Sequence, residues 1–478
     1  MFIPDQSRQQ AVFQRLRHGI LRGALPPGAR LPPTRALAEE LGVARQTVVL
    51  AYERLAAEGY VRGRVGSGTF VTDDLPDAAP VPAAPPLVAT GRLSQRGAAL
   101  AGLDLGGGAG LPGLLTPGVP APELFPAAAW AHCAARVLRD WPGGPPGYPP
   151  PEGLADLRAL IAAHLAATRG LVADPACVVV TSGTQQALFV TAQLLLDPGD
   201  RVWVEDPGYA AGRGALLASG AVPVPVPADR DGIDVAAGID AAPDARLALV
   251  APSHATPMGG ALPVGRRLAL LDWAARADAW VLEDDCDSEF RWQGKPLPPL
   301  ATLDRAGRVI YCGTFSKTLA PGLRLGFAVL PAPLVRPFLQ ARLLTDRGPT
   351  TLVQAVLAEF MRRDLLAPHI RRMRIEYDRR RLAVLAALAR HAPAVEPLGA
   401  PGGLHMILRL PPGTDEAAAA AAAQRRGLAV APLRRYYAGP PRLAGLVCGF
   451  AATPAALAAE AARRLGGAIH ETQRLAAE

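Results

Sequence analysis

The sequence predicts a multi-domain protein with a small α-rich unit, an α/β unit built on a mostly parallel sheet, and a smaller α+β subdomain at the C-terminal end. Three observations support this prediction. The 478 residues, half of them hydrophobic, are enough for more than one core. A proline-rich stretch divides an arginine-rich N-terminal segment from the rest of the chain. Beyond about residue 100, buried-strand patterns alternate with helical ones, which is typical of a sheet covered on both faces.

The composition limits the function classes. A formal net charge of +8 suits a polyanionic partner, although charge alone does not establish one. The five cysteines show neither paired nor metal-ligand spacing, so we expect a reducing compartment and no metal site. The N-terminus has no apolar signal core, and charged residues interrupt the longer apolar stretches. We therefore expect a cytoplasmic protein that does not enter a membrane.

Residues 1–72 carry the pattern of a winged helix-turn-helix. Helical periodicity covers Ser7 to Arg22 and ends at paired prolines. A second helix is predicted from Thr34 to a stop at Gly42, and a third from Arg45 to Glu58. Two short strands with a glycine tip follow. The inward positions are Val12, Leu16, Ile20, Leu37, Leu41, Val48, Tyr52 and Leu55.

The charge of this segment favours nucleic acid. It has ten arginines and no lysine against one Asp and four Glu, a net +5 out of +8. The alternative is a three-helix interaction module with a solvated arginine face. The motifs L-P-P-T-R-A-L-A-E-E-L-G-V-A-R-Q-T-V and G-S-G-T-F-V resemble the GntR-type DNA-binding domain. That resemblance implies double-stranded operator DNA as the partner, and places at it Arg35, Arg45, Gln46, Thr47 and, at the wing tip, Gly66. Ala44 stands where this family often has a serine cap, so a weaker helix start is expected.

Residues 73–97 are too rich in proline for a stable helix, and we predict a semi-rigid extended linker. The rest of the chain, 98–478, is predicted as one unit whose smaller subdomain begins at about residue 350.

Lysine is rare in this chain. Only Lys295 and Lys317 occur, and a primary amine is the group that condenses with an aldehyde. Lys295 stands in a loop-like Q-G-K-P and is interpreted as a chance survivor. Lys317 lies in a loop between two apolar strands, among hydroxyl residues and with Arg324 seven positions on. Such a loop combines an amine with donors for a phosphate group.

Two further features lie at predicted strand ends. Ser182-Gly183-Thr184 stands between a strand and a helix, where backbone N–H groups receive a phosphate, although a plain turn explains the same triplet. Asp284 ends the apolar strand A-W-V-L-E-D, where a carboxylate is costly without a cationic partner.

Taken together, these features resemble the fold-type I pyridoxal 5'-phosphate (PLP) enzymes, the aspartate aminotransferase-like family. The resemblance implies PLP as cofactor, with a Schiff base on Lys317 and the pyridine nitrogen on Asp284. It implies a ring stacked on Tyr209, and a homodimer in which Tyr148 reaches the phosphate in the neighbouring subunit. The other residues that it places at the cofactor, mainly at its phosphate, are Ser182, Gly183, Thr184, Thr314, Ser316 and Arg324.

The combination of both units resembles the MocR-type transcriptional regulators, through V-E-D-P-G-Y, P-S-H, E-D-D-x-D-S-E-F and G-T-F-S-K. This resemblance covers nearly the whole chain. It implies that PLP, or PLP joined to a small amine or amino acid, shifts the dimer's conformation and its DNA affinity. Two alternatives stay open, an aminotransferase with an accessory DNA-binding domain and a regulator that has lost PLP.

Two departures from the family pattern concern the cofactor. Cys286 replaces a tyrosine whose phenol is expected at the cofactor's O3'. His254 belongs to an altered loop, Pro252 to Gly259, and is placed near the cofactor rather than in the core. The arginine for an effector carboxylate has three candidates, and a surface position is equally compatible with each: Arg434, Arg435 and Arg442.

Overall fold

The computed structural model describes residues 8–64, 67–75, 91–104, 113–141, 147–292, 297–398 and 402–477. The chain divides into two compact units, residues 1–92 and 93–478. Lys295 and Gly66 lie outside the described residues. No helix in the described ranges is both long and apolar enough to span a membrane.

The first unit contains three helices and a hairpin, as the sequence predicts. The helices are α1 (Arg8–Leu21), α2 (Thr34–Leu41) and α3 (Arg45–Ala57), and the antiparallel strands are β1 (Val61–Arg64) and β2 (Gly68–Val71). The predicted inward residues are buried, except that Leu41 is half-buried. Helix α2 ends because Gly42 adopts a left-handed conformation, with φ of 61°, and its N–H donates to the Ala38 and Glu39 carbonyls.

The second unit opens with a short helix, α4 (Gln95–Ala101). Its N-terminus is capped by the Ser94 hydroxyl, which accepts from the Gly97 N–H. The prediction of an extended linker up to residue 97 is therefore wrong for its last three residues. No proline occurs between Pro86 and this helix, so nothing opposes its formation.

A large sheet of eight strands forms the main body of this unit. Its order is β3-β10-β9-β8-β7-β4-β5-β6. Neighbours from β9 to β5 run parallel, whereas β10 is antiparallel to both β3 and β9, and β6 to β5. The strands are β3 (Val178–Thr181), β4 (Arg201–Asp206), β5 (Val222–Asp229), β6 (Gly232–Ile233), β7 (Leu247–Val250), β8 (Trp280–Asp285), β9 (Val309–Thr314) and β10 (Gly326–Val329).

Helices cover both faces of the sheet. Along β9, Ile310 and Cys312 belong to one buried cluster, whereas Val309 and Tyr311 belong to clusters on the other face. This agrees with the prediction of a mostly parallel, doubly covered sheet. The helices are α5 (Ala127–Arg139), α6 (Ala155–Arg169), α7 (Thr184–Leu195), α8 (Ala210–Ser219), α9 (Val235–Ala241), α10 (Val264–Arg276), α11 (Ala332–Leu343) and α12 (Thr351–Arg362).

The small subdomain has its own core. Its four-stranded antiparallel sheet has the order β11-β12-β14-β13, and its strands are β11 (Glu396–Leu398), β12 (His405–Arg409), β13 (Ala431–Pro432) and β14 (Gly445–Gly449). Its helices are α13 (Leu366–His391), α14 (Glu416–Arg425) and α15 (Ala458–Ala477). Helix α12 packs instead in the cluster of α5 and α6, so the change of core comes at α13, later than residue 350.

A segment far away in sequence joins this small core. Leu115 and Ala121 are buried in it. The backbone around Leu115 pairs with the small subdomain, since the Gly449 N–H donates to the Leu115 carbonyl and the Leu115 N–H to the Thr453 hydroxyl. Residues 113–121 are therefore held against the small subdomain.

Candidate functional site

A cavity of about 300 Å³ opens where the strands of the large sheet end. Its walls come from the ends of β8 and β9, the start of α7, the segment at residues 117–118 and the small subdomain. Ligand sites of parallel sheets lie at this edge. The lining residues are Pro117, Gly118, Gly183, Thr184, Gln185, Tyr209, Thr256, Asp284, Cys286, Asp287, Thr314, Ser316, Lys317, Pro321, Arg324, His405 and Tyr436.

Lys317 enters this cavity from the loop after β9. Its ammonium group donates a hydrogen bond to the carbonyl oxygen of Gly118. Gly118 has a φ of 64°, and a Cβ at this position would lie 3.4 Å from the lysine Nζ. The segment that is held against the small subdomain therefore also contacts the lysine.

Asp284 is the last residue but one of strand β8. Its carboxyl group is buried, and Oδ1 has no hydrogen-bonding partner among the described residues. Its side chain is 7% exposed. Burial, together with the Asp285 and Asp287 carboxylates, raises the pKa of Asp284 to about 7, against the attraction of Lys317. A carboxyl group in this condition is stabilised by a cation placed beside it.

One end of the cavity, which we call the anion end, combines groups that suit a bound anion. Gly183 precedes α7, so the free N–H groups of the helix start face this end. A Cβ on Gly183 would lie 3.4 Å from the Arg324 guanidinium, which makes no hydrogen bond or ion pair with the described residues. The Thr314 hydroxyl donates to Ser316 Oγ at 2.9 Å, and the Thr184 hydroxyl is buried with no partner in the described structure. A phosphate group would supply acceptors for the Arg324 guanidinium, the Thr184 hydroxyl and the free N–H groups of the helix start.

The wall on the small-subdomain side carries an ion pair and a neutral histidine. His254 Nδ1 lies 2.9 Å from Asp287 Oδ1. Burial opposes both charges, yet their attraction outweighs it, so the pKa of His254 is raised and that of Asp287 is lowered. Burial and the nearby His254 lower the pKa of His405 to about 4. His405 Nε2 lies 3.2 Å from the Pro257 carbonyl oxygen, so a neutral His405 donates from Nε2.

The structure brings most of the predicted cofactor residues together. Three of them do not line the cavity. Ser182 faces Asp346, with 3.4 Å between Oγ and Oδ2, and His254 lies behind Asp287. Tyr148 is 84% exposed, so its predicted role in a neighbouring subunit stays a prediction. The predicted residues that do line the cavity are Gly183, Thr184, Tyr209, Asp284, Cys286, Thr314, Ser316, Lys317 and Arg324.

Other lining residues were missed from the sequence. Asp287 belongs to the same acidic run as Asp284, and His405 is a polar residue in the apolar stretch L-H-M-I-L. Both could have been predicted as site residues, because a polar side chain in or directly after a buried strand is costly without a partner. Gly118, in contrast, is 199 positions from Lys317, and no local pattern connects the two.

The first unit exposes the residues predicted to meet DNA. Arg45 opens α3, and its Nε lies 3.4 Å from the Thr34 hydroxyl. Arg35, Arg45 and Gln46 are exposed, and Thr47 is half-buried. Ala44 provides no side-chain cap, which agrees with the expectation of a weaker helix start. Arg45, Gln46 and Thr47 lie at the N-terminal end of α3, the second helix of a helix-turn-helix, where base edges are contacted, whereas Arg35 lies at the start of α2.

Comparisons with known proteins match both units. The family of bacterial regulatory proteins of the gntR type matches residues 8–71, and the aminotransferase class I and II family matches residues 133–465. The chain is 38% identical to "Probable rhizopine catabolism regulatory protein MocR" of Rhizobium meliloti, over 94% of this chain and 90% of that protein. It is 34% identical to the pyridoxine biosynthesis transcriptional regulator PdxR of Corynebacterium glutamicum, over 94% and 92%. The chain belongs to the MocR-type family of GntR-like transcriptional regulators.

The larger unit of this MocR-type protein is also similar to solved enzymes. The structure of LysN, an α-aminoadipate aminotransferase of Thermus thermophilus, matches with a TM-score of 0.70 and 32% identity. The match covers 76% of this chain and 92% of that one, and LysN was crystallised with N-(5'-phosphopyridoxyl)-L-leucine. The fold-type I aminotransferase architecture predicted from the sequence is thereby confirmed.

Cys286, which replaces the tyrosine of the family pattern, lies at the cavity. Its side chain lines the cavity, and burial raises the pKa of its thiol well above the usual value. The thiol is therefore uncharged and a weak hydrogen-bond donor.

Proposed function

We propose that this protein is a DNA-binding transcriptional regulator whose larger unit binds PLP at Lys317. A small amine or amino acid acts with PLP as the effector that changes DNA affinity. The observation that carries the proposal is that Lys317 lines the same cavity as the buried Asp284, whose Oδ1 has no hydrogen-bonding partner among the described residues. That cavity belongs to a chain whose other unit exposes Arg45 at the start of α3 and Arg35 on α2.

The residues of the cavity suit PLP in its three parts. Asp284 would hold the proton of the pyridine nitrogen, and that cation would in turn stabilise the buried carboxylate. Tyr209 would pack on the ring. The anion end would receive the phosphate through Gly183, Thr314, Ser316 and Arg324. When bound, PLP supplies an aldehyde that condenses with primary amines, and Lys317 offers the amine for that reaction.

We assign DNA binding to residues 1–72, the linker to residues 73–94, and effector binding to the remainder from the start of α4 at Gln95. We further propose a homodimer in which Tyr148 completes the cavity of the partner, because this tyrosine is almost fully exposed in its own chain. A dimer would present two DNA-binding units to paired sites. The protein would act in the cytoplasm, where its DNA is.

A second candidate function is transamination with an accessory DNA-binding unit. The similarity to LysN favours it, together with a cavity that retains the lysine and the aspartate. One chain can both regulate and slowly transaminate. The two candidates differ in whether the small amine or amino acid changes DNA affinity or is mainly turned over as a substrate.

To test this, genomic DNA fragments that bind the full-length protein are first selected. The affinity of the protein for a selected fragment is then measured by fluorescence anisotropy. The proposal predicts that PLP with an effector changes this affinity severalfold in the wild type but not in Lys317→Ala. A regulator that has lost PLP would show equal affinities in both proteins under every condition. Efficient turnover of amino groups without any effect on DNA affinity would favour the second candidate.

A further inference from the structure

The chemical class of the effector follows from which cations reach the cavity. A carboxylate beside the cofactor needs a charged donor, and arginine is the residue that binds carboxylates in two-point geometry. Every arginine of the sequence lies in the described part of the chain, so each can be placed. Arg324 is the one that lines the cavity, and it stands at the anion end beside Gly183.

Of the three arginines considered for an effector carboxylate, two are engaged elsewhere and one is exposed. The Arg442 guanidinium donates to the backbone carbonyl of Asp206 and also lies 3.6 Å from its carboxylate. Arg435 donates to the Asp104 carboxylate at 2.9 Å. Arg434 is exposed. None of these side chains lines the cavity.

A further arginine near the cavity, Arg213, also has hydrogen-bonding partners of its own. Arg213 lies beyond Tyr209, and its guanidinium donates to the backbone carbonyls of Arg435 and Tyr436 at 3.4 Å. Its role is to hold the 435–436 backbone, which carries Tyr436 into the cavity wall. Reaching a ligand would require it to leave both carbonyls.

The wall that an effector would meet on the small-subdomain side is therefore uncharged or acidic. It consists of Thr256, Tyr436, the neutral His405 and the carboxylate of Asp287. The positive charge that balances Asp287 belongs to His254, which lies behind it and does not line the cavity. With Lys317 engaged by the cofactor, a ligand carboxylate here would meet a negative charge before it met a positive one.

We propose that the effector of this cavity is a small primary amine without a carboxylate on its amine-bearing carbon, and not an α-amino acid. The inference rests on the proposed function, because it takes Arg324 to be occupied by the cofactor phosphate. Hydroxyl and further amino groups suit Thr256, Tyr436, His405 and Asp287, since these offer donors and acceptors and one negative charge.

The test compares amines with the amino acids that contain them. PLP-loaded full-length protein is titrated with butane-1,4-diamine against L-ornithine, and with ethanolamine against L-serine. Saturation is followed by the visible absorption band and by the thermal unfolding midpoint. Each amine is expected to saturate at a concentration at least about tenfold lower than its amino acid. Amino acids that saturate at equal or lower concentrations would overturn the inference.

Failure of the cofactor assignment gives a different result. If PLP produces no visible band, or produces the same band in Lys317→Ala, the proposed function fails before any effector is added. A normal band that responds to L-ornithine and L-serine but not to the two amines leaves PLP binding intact and overturns the effector class alone.

A pair of variants at Thr256 tests whether the missing positive charge excludes amino acids. Thr256→Arg places a cation on the wall, and Thr256→Gln adds comparable length without charge. The arginine variant is expected to gain at least about tenfold in affinity for L-serine, while the glutamine variant gains none. Equal behaviour of the two variants would show that the missing cation is not what excludes amino acids.

Discussion

The Lys317 ammonium group donates to the carbonyl oxygen of Gly118, and so links the loop after β9 to a segment held by the small subdomain. The contact joins chain positions 199 residues apart. Condensation of the lysine with an aldehyde would replace the ammonium group by an imine nitrogen with at most one N–H, and so loosen this contact. The resting position of residues 113–121 is thus sensitive to the state of the lysine.

Gly118→Ala tests this contact. The residue has a φ of 64°, and its new Cβ would enter the cavity 3.4 Å from the lysine Nζ. We therefore expect a backbone cost of about 1 kcal/mol and, because the methyl group would crowd a cofactor bound at the lysine, weaker PLP binding. Gly170→Ala is the control, because Gly170 has a φ of 69° and nothing lies within 4 Å of its Cβ position. Both variants should lose stability in urea unfolding, and only Gly118→Ala should lose PLP affinity. Equal PLP affinities would contradict the contact's role.

Asp284→Asn should change the pH dependence of stability in the protein without PLP. The pKa of Asp284 is raised to about 7 in the folded state, so the folded state holds its proton more tightly. The wild type therefore loses stability as pH rises from about 4 to about 7, by up to about 4 kcal/mol, and the amide variant does not. Unfolding midpoints at pH 5 and pH 8.5 measure this.

The raised pKa values of Glu283 and Glu289 have causes other than Asp284, so their effect should cancel in the comparison. The Asp284 charge adds to the raised pKa of Glu205, and its loss in the amide variant changes the comparison in the same direction as the loss of Asp284 itself. The variant's advantage over the wild type should be larger at pH 8.5. A difference that is the same at both pH values would show that Asp284 is not the strained carboxyl group.

Arg45→Ala should weaken specific DNA binding by about 1–3 kcal/mol if the side chain contacts a base edge. Arg15→Ala is a suitable control, since Arg15 is an exposed arginine of the same unit that pairs with Glu40 on α2. Anisotropy titrations on selected and on random DNA separate the two roles. Equal losses on both DNAs would make Arg45 a phosphate contact, and no loss on either would remove it from the interface.

Cys286→Tyr should lower the pH midpoint of the visible band in the PLP-loaded protein. A phenol donates a hydrogen bond to the O3' oxygen and lowers its basicity, so the proton that this oxygen shares with the lysine–cofactor nitrogen is released at lower pH. The uncharged thiol of the wild type is a weaker donor on a shorter side chain. Coincident midpoints, or a lower one in the wild type, would show that Cys286 is a neutral replacement.

The first unit could be predicted almost completely because its information is local. Thr34, Gly42 and Arg45 mark helix ends that the structure reproduces. In the second unit, β5 was missed because its sequence, V-P-V-P-V-P, contains residues that sheets exclude. The Val222 N–H donates to the Asp200 carbonyl, whereas the Pro227 carbonyl faces Asp234 on the other side. The prolines thus occupy the alternate positions, whose missing N–H groups point away from β4.

The site shows the same division between local and distant information. Lys317 follows strand β9 and Asp284 lies near the end of β8, and their residue types alone marked them as unusual. The buried network in which Asp285 accepts from Arg169 at 2.7 Å and from Tyr311 at 2.6 Å could not be predicted, because its members come from three separate elements. The same reason hid Gly118 and Tyr436, whose positions depend on how the small subdomain closes on the sheet.

Borohydride reduction of the PLP-loaded protein, followed by peptide mass mapping, identifies the lysine that carries PLP. Reduction converts a carbon–nitrogen double bond into a stable adduct on the lysine that formed it. The assignment of PLP to Lys317 predicts a single adduct on Lys317, its loss in Lys317→Ala, and its persistence in Lys295→Ala. An adduct on Lys295, or none at saturating PLP, would contradict it.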